Sequence, residues 1–361
     1  MRFRLLVDSE EFAAQLVQDI SAARRSVYIQ AMTFDADTSG LRVARAITAA
    51  PAPDRRVLID AVSRAIVSDR FVFGPRNWLD DALRQEWRAT RRLAGELPGQ
   101  GVGVRITNPF GPLWLRFFAR NHKKLAVIDG RISYIGGINF SDHNFAWHDM
   151  MLRIDDPEIA AFLEADFLST WRGRNQSAFR SFPGIDIYLL DGPSNGRTFE
   201  PVIDIVRGAR KSIFVESTYF ALPFFSRLRE IGTAGPSKVL LTSEANNWPQ
   251  MRSYVPWEAW RSGIELRLYP SRLTHLKAIL VDGRNLIMGS ANFDFFSYWI
   301  YQEIVAVVRD PEVITAFQDR ILIPDLAKSL PYKGPVSPVR GWVRALSFRA
   351  LVGLNRFLTL R

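Results

Sequence analysis

The sequence predicts an α/β chain built as two similar halves, and three observations carry that prediction. The first is length: 361 residues overfill one domain of about 150 residues and suit two. The second is composition. Apolar residues make up 47% and charged residues 23%, which excludes a disordered or fibrous chain and suffices for a large core without staples. The third is internal repetition. Ala23-Arg24-Arg25-Ser26-Val27-Tyr28-Ile29 returns as Ala209-Arg210-Lys211-Ser212-Ile213-Phe214-Val215, and a second, longer repeat follows it.

Each copy of the first repeat follows an amphipathic helical stretch, residues 12–22 and 199–208. Each runs into an apolar strand ending in Thr33-Phe34 or Tyr219-Phe220. Arg56-Val57-Leu58-Ile59-Asp60 and Lys238-Val239-Leu240-Leu241-Thr242 read as a second strand in each half. Val102-Gly103-Val104-Arg105-Ile106 and Ile264-Glu265-Leu266-Arg267-Leu268 read as a third. Strands alternating with helices predict βαβ units with mostly parallel strands. The longer repeat is His122-Lys123-Lys124-Leu125-Ala126-Val127-Ile128-Asp129-Gly130-Arg131, returning as His275-Leu276-Lys277-Ala278-Ile279-Leu280-Val281-Asp282-Gly283-Arg284. Its copies stand 153 residues apart, against 186 for the first repeat, so the first half carries about 33 extra residues. They fall in the Arg- and Trp-rich residues 63–98, read as a helical insertion. Phe182-Pro183-Gly184 reads as the linker, dividing the chain into 1–181, 182–325 and a tail, 326–361. The cluster Gly99-Gln100-Gly101-Val102-Gly103 lacks the spacing of a dinucleotide loop and reads as a turn.

There is no cysteine, which excludes disulfides, thiolate metal sites and a cysteine nucleophile. The N-terminus meets Asp8, Glu10 and Glu11 too early for a signal peptide. No uncharged apolar run reaches the ~18 residues of a membrane span. The formal net charge of +10 points to an anionic partner: nucleic acid, anionic lipid or a phosphorylated ligand. Arginine spread evenly over the surface would account for the charge equally well, so the choice rests on motifs.

Only four histidines are present, and His122 and His275 share one ten-residue context. His143 and His148 lack it and read as ordinary satisfied or exposed side chains. On a strand, positions i and i+2 share a face, so His122 projects with Lys124, and His275 with Lys277. Asp129-Gly130 and Asp282-Gly283 are tight-turn dipeptides. Each turn sends the chain back through Ile132–Ile135 or Leu286–Met288 into Gly136-Gly137-Ile138-Asn139 or Gly289-Ser290-Ala291-Asn292. There small residues allow close backbone approach, and Asn139 and Asn292 offer amide donors. Read from the residues alone, Asp129 and Asp282 are turn residues, because they lie across the strand from the histidines.

This duplicated H-x-K-x-x-x-x-D pattern resembles the phospholipase D superfamily. The flanks, Trp147-His148-Asp149-Met150-Met151-Leu152-Arg153-Ile154 and Asn292-Phe293-Asp294 through Gln302-Glu303, are similar to bacterial cardiolipin synthase-like enzymes, and the resemblance runs from about Leu5 to Ile323. It implies two phospholipase D-like α/β/α lobes with pseudo-two-fold symmetry and one active site at the lobe interface. It also implies a catalytic set of His122, Lys124, Asp129, His275, Lys277 and Asp282. His122 would attack phosphorus to form a phosphohistidine, and His275 would protonate the leaving alcohol and then deprotonate the acceptor. Lys124, Lys277, Asn139 and Asn292 would hold the phosphoryl oxygens, and Asp149 and Glu303 would orient the histidines. The chemistry is coherent without a metal or cofactor, because fixed cations and donors stabilise the charge that builds on a phosphodiester in its transition state. One departure stands out: the first copy has Gly137 where the second has Ser290, so the halves are not chemically equivalent.

Two segments point to lipid. Residues 109–120 (Pro109-Phe110-Gly111-Pro112-Leu113-Trp114-Leu115-Arg116-Phe117-Phe118-Ala119-Arg120) are apolar, aromatic and Arg-flanked, immediately before the first motif. They read as a lip for acyl chains or, equally, as a buried helix. The tail, residues 326–361, has no acid and interleaves Lys328, Lys333, Arg340, Arg344, Arg349, Arg356 and Arg361 with Trp342, Leu346, Phe348, Leu351, Leu354 and Phe357. It reads as an interfacial helix in preference to a docked one. The resulting expectation is a monomeric phospholipase D-type phosphodiesterase or phosphatidyltransferase, foremost cardiolipin synthase-like. It would act on an anionic phosphatidylglycerol-like phospholipid, in the cytoplasm, at the inner face of the membrane. A soluble nuclease of the same superfamily is the alternative, and a phospholipid-binding relative without activity ranks last because both His, both Lys and both Asn are present.

Overall fold

The computed structural model describes residues 1–246 and 249–359. It divides into two compact units, Met1–Gln176 and Ser177–Arg361. The first unit opens with β1 (Arg2–Val7), α1 (Ser9–Ala22), β2 (Ser26–Ala31), α2 (Thr38–Ala49) and β3 (Asp54–Asp60). A hairpin of β4 (Ile66–Val67) and β5 (Arg70–Phe71) follows, then α3 (Pro75–Trp78), α4 (Asp81–Glu96) and β6 (Gly103–Thr107). The unit closes with β7 (Leu125–Ile128), β8 (Ile132–Gly136), α5 (Asp142–Phe145), β9 (Met150–Asp155) and α6 (Pro157–Trp171).

Seven of these strands form one sheet in the order β1-β9-β8-β7-β2-β3-β6. Only β2, β3 and β6 are mutually parallel; β7, β8, β9 and β1 join antiparallel. The expected mostly parallel sheet is therefore corrected to a mixed one. The Asp-Gly turn closes β7 and β8 into a hairpin, and β9 and then β1 add antiparallel beside β8. Pleat alternation sends Val27 and Ile29 into a core with Phe12 and Leu16 of α1 and Val43 and Ile47 of α2. It sends Tyr28 to the other face, stacked on Phe167 of α6 at 4.9 Å. Helices on both faces give an α/β/α lobe.

The second unit contains β10 (Ala178–Phe182), β11 (Ile185–Asp191), α7 (Asn195–Arg207), β12 (Ser212–Ser217), α8 (Phe224–Glu230), β13 (Ser237–Ser243), α9 (Met251–Arg261) and β14 (Glu265–Tyr269). Next come β15 (Lys277–Val281), β16 (Asn285–Gly289), α10 (Phe295–Trp299), β17 (Gln302–Val308) and α11 (Pro311–Phe317). The last elements are α12 (Ile323–Lys328), β18 (Leu330–Pro331) and α13 (Pro338–Thr359). Its sheet runs β10-β11-β17-β16-β15-β12-β13-β14-β18. The inner seven strands repeat the order of the first unit, β11 standing where β1 stands. Phe214 on β12 meets Phe317 of α11 on one face, and Phe199 of α7 packs with Phe224 and Tyr298.

Three boundaries differ from the sequence reading. Phe182-Pro183-Gly184 is no linker: Phe182 pairs with Ile185 across a hairpin turn inside the second sheet, and the units divide after Gln176. The insertion is helical only in part, since it begins with the β4–β5 hairpin before α4. The tail is not free of the protein. Phe348 packs at 5.0 Å from the Tyr254 ring of α9 and 5.2 Å from the Phe295 ring of α10, and Ala345 and Val352 are buried beside it. A Cβ on Gly341 would lie 2.3 Å from Trp257, so the helix is docked tightly there. Its opposite side leaves Val339, Trp342, Val343, Leu346, Leu354 and Phe357 exposed. Arg361 and the side chain of Arg356 lie outside the described residues. Among the described residues no helix is long and apolar enough to cross a membrane.

Candidate active site

In the first unit the parallel strands β2, β3 and β6 all end at one edge of the sheet. The antiparallel pairings Leu125↔Ile135 and Gly136↔Met151 bring the start of β7, the end of β8 and the start of β9 to that same edge. His122, Lys124, Asn139 and Asp149 are thereby gathered from three chain segments at the carboxyl ends of the parallel strands, where sheets of this kind hold ligands. All four are buried. Lys124 Nζ donates to the carbonyl of His122 at 2.8 Å, so one side chain fixes the backbone of the other. The second unit repeats this with His275, Lys277, Asn292 and Glu303, and Lys277 Nζ again donates to the carbonyl of its histidine. His275 also stands edge-on to the Tyr219 ring at 6.2 Å. In both units the amide oxygen of the asparagine, Asn139 or Asn292, has no partner among the described residues, so that atom is not spent on holding the fold.

Asp129 and Asp282 lie at the far end of β7 and β15, a strand's length from the histidines. Asp129 accepts from the backbone N–H of Arg24 (2.9 and 3.1 Å), Arg25 (2.7 Å) and Ser26 (3.0 Å). Asp282 accepts from Arg210 (2.9 and 3.1 Å), Lys211 (2.7 Å) and Ser212 (3.0 Å) in the same pattern. Both take positive φ, 55° and 54°. Partial desolvation pushes each carboxyl up, but the backbone N–H donors outweigh it and hold both below the usual carboxylate value. Each carboxylate therefore ties the hairpin turn to the start of the neighbouring parallel strand, and the grouping of these two residues with the catalytic set does not match their position.

The Gly137/Ser290 asymmetry has a steric reason. A Cβ at Gly137 would lie 2.4 Å from Asp149 Oδ1 and 2.5 Å from Oδ2, so Asp149 occupies the volume a side chain would need. Asp149 Oδ1 is held by the N–H of Met150 at 2.8 Å. In the second unit the Ser290 hydroxyl donates to Glu303, and Ser297 Oγ donates to the same carboxylate at 2.7 Å. Glycine goes with an aspartate seated on it; serine goes with a glutamate it hydrogen-bonds. Beside Glu303, Asp294 is buried and caps α10 through the N–H of Ser297 at 2.9 Å. Burial, and then the charge of Glu303, push Asp294 up to about 8, against the pull of Lys277.

Several supporting residues escaped the sequence reading because they are not repeated between halves. Asp60, at the end of β3, pairs with Arg120 at 2.8 Å and accepts from the N–H of Asn121 at 2.6 Å. Burial pushes it up to about 6 despite Arg120. Asn121 in turn accepts from Gln30 Nε2 at 2.8 Å. Lys123 forms a fully buried ion pair with Asp166 of α6 at 2.7 Å. In the second unit Thr274 stands where Asn121 stands in the first: it donates to Glu216 at 2.6 Å, and its N–H donates to Ser243 Oγ at 2.6 Å. His148 is satisfied by Asp8 at 2.6 Å, and His143 faces Asp69 at 3.6 Å.

Comparison with known proteins agrees with this geometry. A family model described as "Cardiolipin synthase, PLD-like domain" (PLD for phospholipase D) matches residues 16–171 and 202–322, so both halves are covered. The chain belongs to this phospholipase D family. Its relatives include the cardiolipin synthase of Listeria welshimeri, 25% identical over 90% of this chain and 69% of that protein. The major cardiolipin synthase of Bacillus subtilis is 23% identical over 88% of this chain and 68% of that one. Among solved structures, phosphatidylserine synthase of Haemophilus influenzae superposes with a TM-score of 0.69, 16% identity, and coverage of 99% and 95% of the two chains. Polyphosphate kinase of Porphyromonas gingivalis gives a TM-score of 0.60, 15% identity, and coverage of 99% and 53%. These two likenesses bear on the fold alone. Membership in the phospholipase D family makes the chain a phosphatidyltransferase-type enzyme of phospholipid metabolism, and the nuclease alternative is not favoured.

Proposed function

We propose that the chain transfers a phosphatidyl group between alcohols as a cardiolipin synthase does, taking a phosphatidylglycerol-like lipid as substrate. His122 attacks phosphorus while the P–O bond to the leaving alcohol breaks, and His275 gives that alcohol its proton. A phosphohistidine remains. His275 then takes the proton of the acceptor alcohol, whose oxygen displaces His122 from phosphorus. Lys124, Lys277, Asn139 and Asn292 bear the charge that spreads over the phosphoryl oxygens. Asp149 and Glu303 fix the histidine rings, and Asp129 and Asp282 hold the turns. The observation that supports this most is the pair of half-sites, in which His, Lys and Asn come to one sheet edge in both units by the same register.

Lipid association is supported from two surfaces. Residues 109–120 form an exposed aromatic loop, not a buried helix, at the same sheet edge as His122. Trp114 stacks on Phe110 and Phe117 at 4.7 and 5.7 Å and meets Phe73 of the insertion at 5.8 Å, while Leu113 is 92% exposed. Arginine-fringed aromatics of this kind suit the headgroup region of a bilayer. The outward side of α13, with Trp342, Leu346, Arg340 and Arg344, offers the same chemistry. We read the protein as a monomer bound peripherally to the inner face of an anionic membrane.

The deciding experiment incubates the protein with phosphatidylglycerol vesicles and follows products by mass spectrometry, beside His122→Ala and His275→Ala. Cardiolipin and glycerol are expected, absent in both variants. Phosphatidic acid in their place would convert the reading to hydrolysis at the same histidines, and no lipid product would overturn it.

A further inference from the structure

Asp35 follows β2 in the first unit and is 1% exposed. Its Oδ2 accepts a long bond, 3.3 Å, from the N–H of Ser68, while its Oδ1 has no partner among the described residues. Burying a carboxylate oxygen unpaired is costly, and the neighbours raise the cost: one oxygen each of Asp35, Asp37 and Glu86 lie within 4.8 Å of one another. None of the three has an ion-pair partner among the lysines and arginines described. Three other buried acids of this unit do have one: Asp60 has Arg120, Asp166 has Lys123 and Asp19 has Arg153. Burial first, then the charges of Asp37, Glu86 and Asp69, push Asp35 up to about 8, so at neutral pH the cluster holds a proton or wants a cation.

We propose that Asp35, Asp37 and Glu86 bind a hard divalent cation of the calcium class, which fastens the insertion to the turn between β2 and α2. The donors are all carboxylate oxygens, the chemistry of calcium or magnesium rather than of zinc. Calcium–oxygen distances of about 2.3–2.6 Å place opposed ligands roughly 4.6–5.2 Å apart, whereas magnesium draws them to about 4.2 Å. The oxygens lie within 4.8 Å of one another, a limit that admits the larger ion. The three ligands come from separate segments: Asp35 and Asp37 from the β2–α2 turn, Glu86 from α4. Ser68 already bridges them, donating its N–H to Asp35 and its Oγ to Glu86 Oε1 at 2.7 Å, which leaves Glu86 Oε2 for the ion. Asp37 also caps α2 through the N–H of Gly40 at 3.0 Å, so the ion would lock a helix start to the insertion. The proposal is independent of the histidines and of the phosphatidyl-transfer reading.

The full-length protein, stripped with chelator, is titrated with calcium chloride by calorimetry in buffers of different ionisation heat, and its Tm is followed in parallel with calcium and with magnesium. Saturable one-site calcium binding is expected, with proton release at pH 7, a rise in Tm and weaker binding of magnesium. Asp35→Asn and Glu86→Gln are each expected to lose the binding and the calcium-dependent rise in Tm, and Glu86→Gln serves where Asp35→Asn does not fold. No saturable binding at millimolar calcium, or unchanged binding in either folded variant, would overturn the site. Tighter binding of magnesium would overturn the assignment of the ion.

Discussion

At the scale of single residues, the two halves seat the acid of the proposed half-site differently. Gly137 leaves room for Asp149 to sit directly on the backbone, whereas Ser290 reaches toward Glu303 through a hydroxyl. The shorter acid needs the missing side chain. Gly137→Ala is therefore expected to displace Asp149, because its Cβ would overlap the carboxylate at 2.4 Å. A shift of about 1 Å in a positioning group costs on the order of 100-fold in turnover, with KM little changed. Steady-state kinetics and the pH profile of kcat/KM in the variant check this, the folded state being confirmed by an unchanged circular dichroism spectrum. Unaltered kcat and pH profile would remove Asp149 from any role in orienting His122. The need for glycine was invisible in sequence. The asymmetry with Ser290 could be seen, but its cause lies in the registration of Asp149 over Gly137, which arises only when β8 and β9 pair.

At the scale of elements, what was legible followed from repetition and from turn chemistry. Two copies of one ten-residue context marked the strands β7 and β15, and the Asp-Gly dipeptides marked the hairpins that follow them. Strand direction was harder. Periodicity identifies a buried strand but not its neighbour, so the antiparallel joins of β1 to β9 and β11 to β17 were not readable, nor was the β10–β11 hairpin behind Phe182-Pro183-Gly184. Supports present in one half alone were hidden for the same reason. The Lys123–Asp166 pair is the sharpest case, since the second half has Leu276 at the matching position. Both groups are fully buried and joined at 2.7 Å, so the pair pins α6 to the segment that carries His122 into β7. Removing one partner strands a buried charge and costs about 3–5 kcal/mol, whereas replacing both by apolar groups is close to neutral. Lys123→Met alone is accordingly expected to lower stability by that amount in urea unfolding. Lys123→Met with Asp166→Leu should recover most of it, following the second half, which does without the pair. If the double variant is as unstable as the single one, the packing around Lys123, not its charge, holds α6.

At the scale of the whole molecule, the proposed lipid binding has two sources, the excess of positive charge and the exposed aromatics, and these respond differently to salt. The net charge of +10 acts through screened Coulomb attraction, which fades beyond a Debye length of about 8 Å at physiological ionic strength. On the proposed reading the aromatic loop around Trp114 and the outward side of α13 would bury apolar area in the interface, which salt does not weaken. Sedimentation of the protein with phosphatidylglycerol vesicles is therefore expected to fall as sodium chloride rises and then to level off above zero. Leu113→Ala with Trp114→Ala should lower that plateau and leave the salt-dependent part in place, because neither residue carries charge. Both can be changed without touching the core: Leu113 is 92% and Trp114 42% exposed. Binding that vanishes completely at high salt would mean that charge alone holds the protein to lipid. The aromatic loop would then serve the bound acyl chains near His122 and not the membrane.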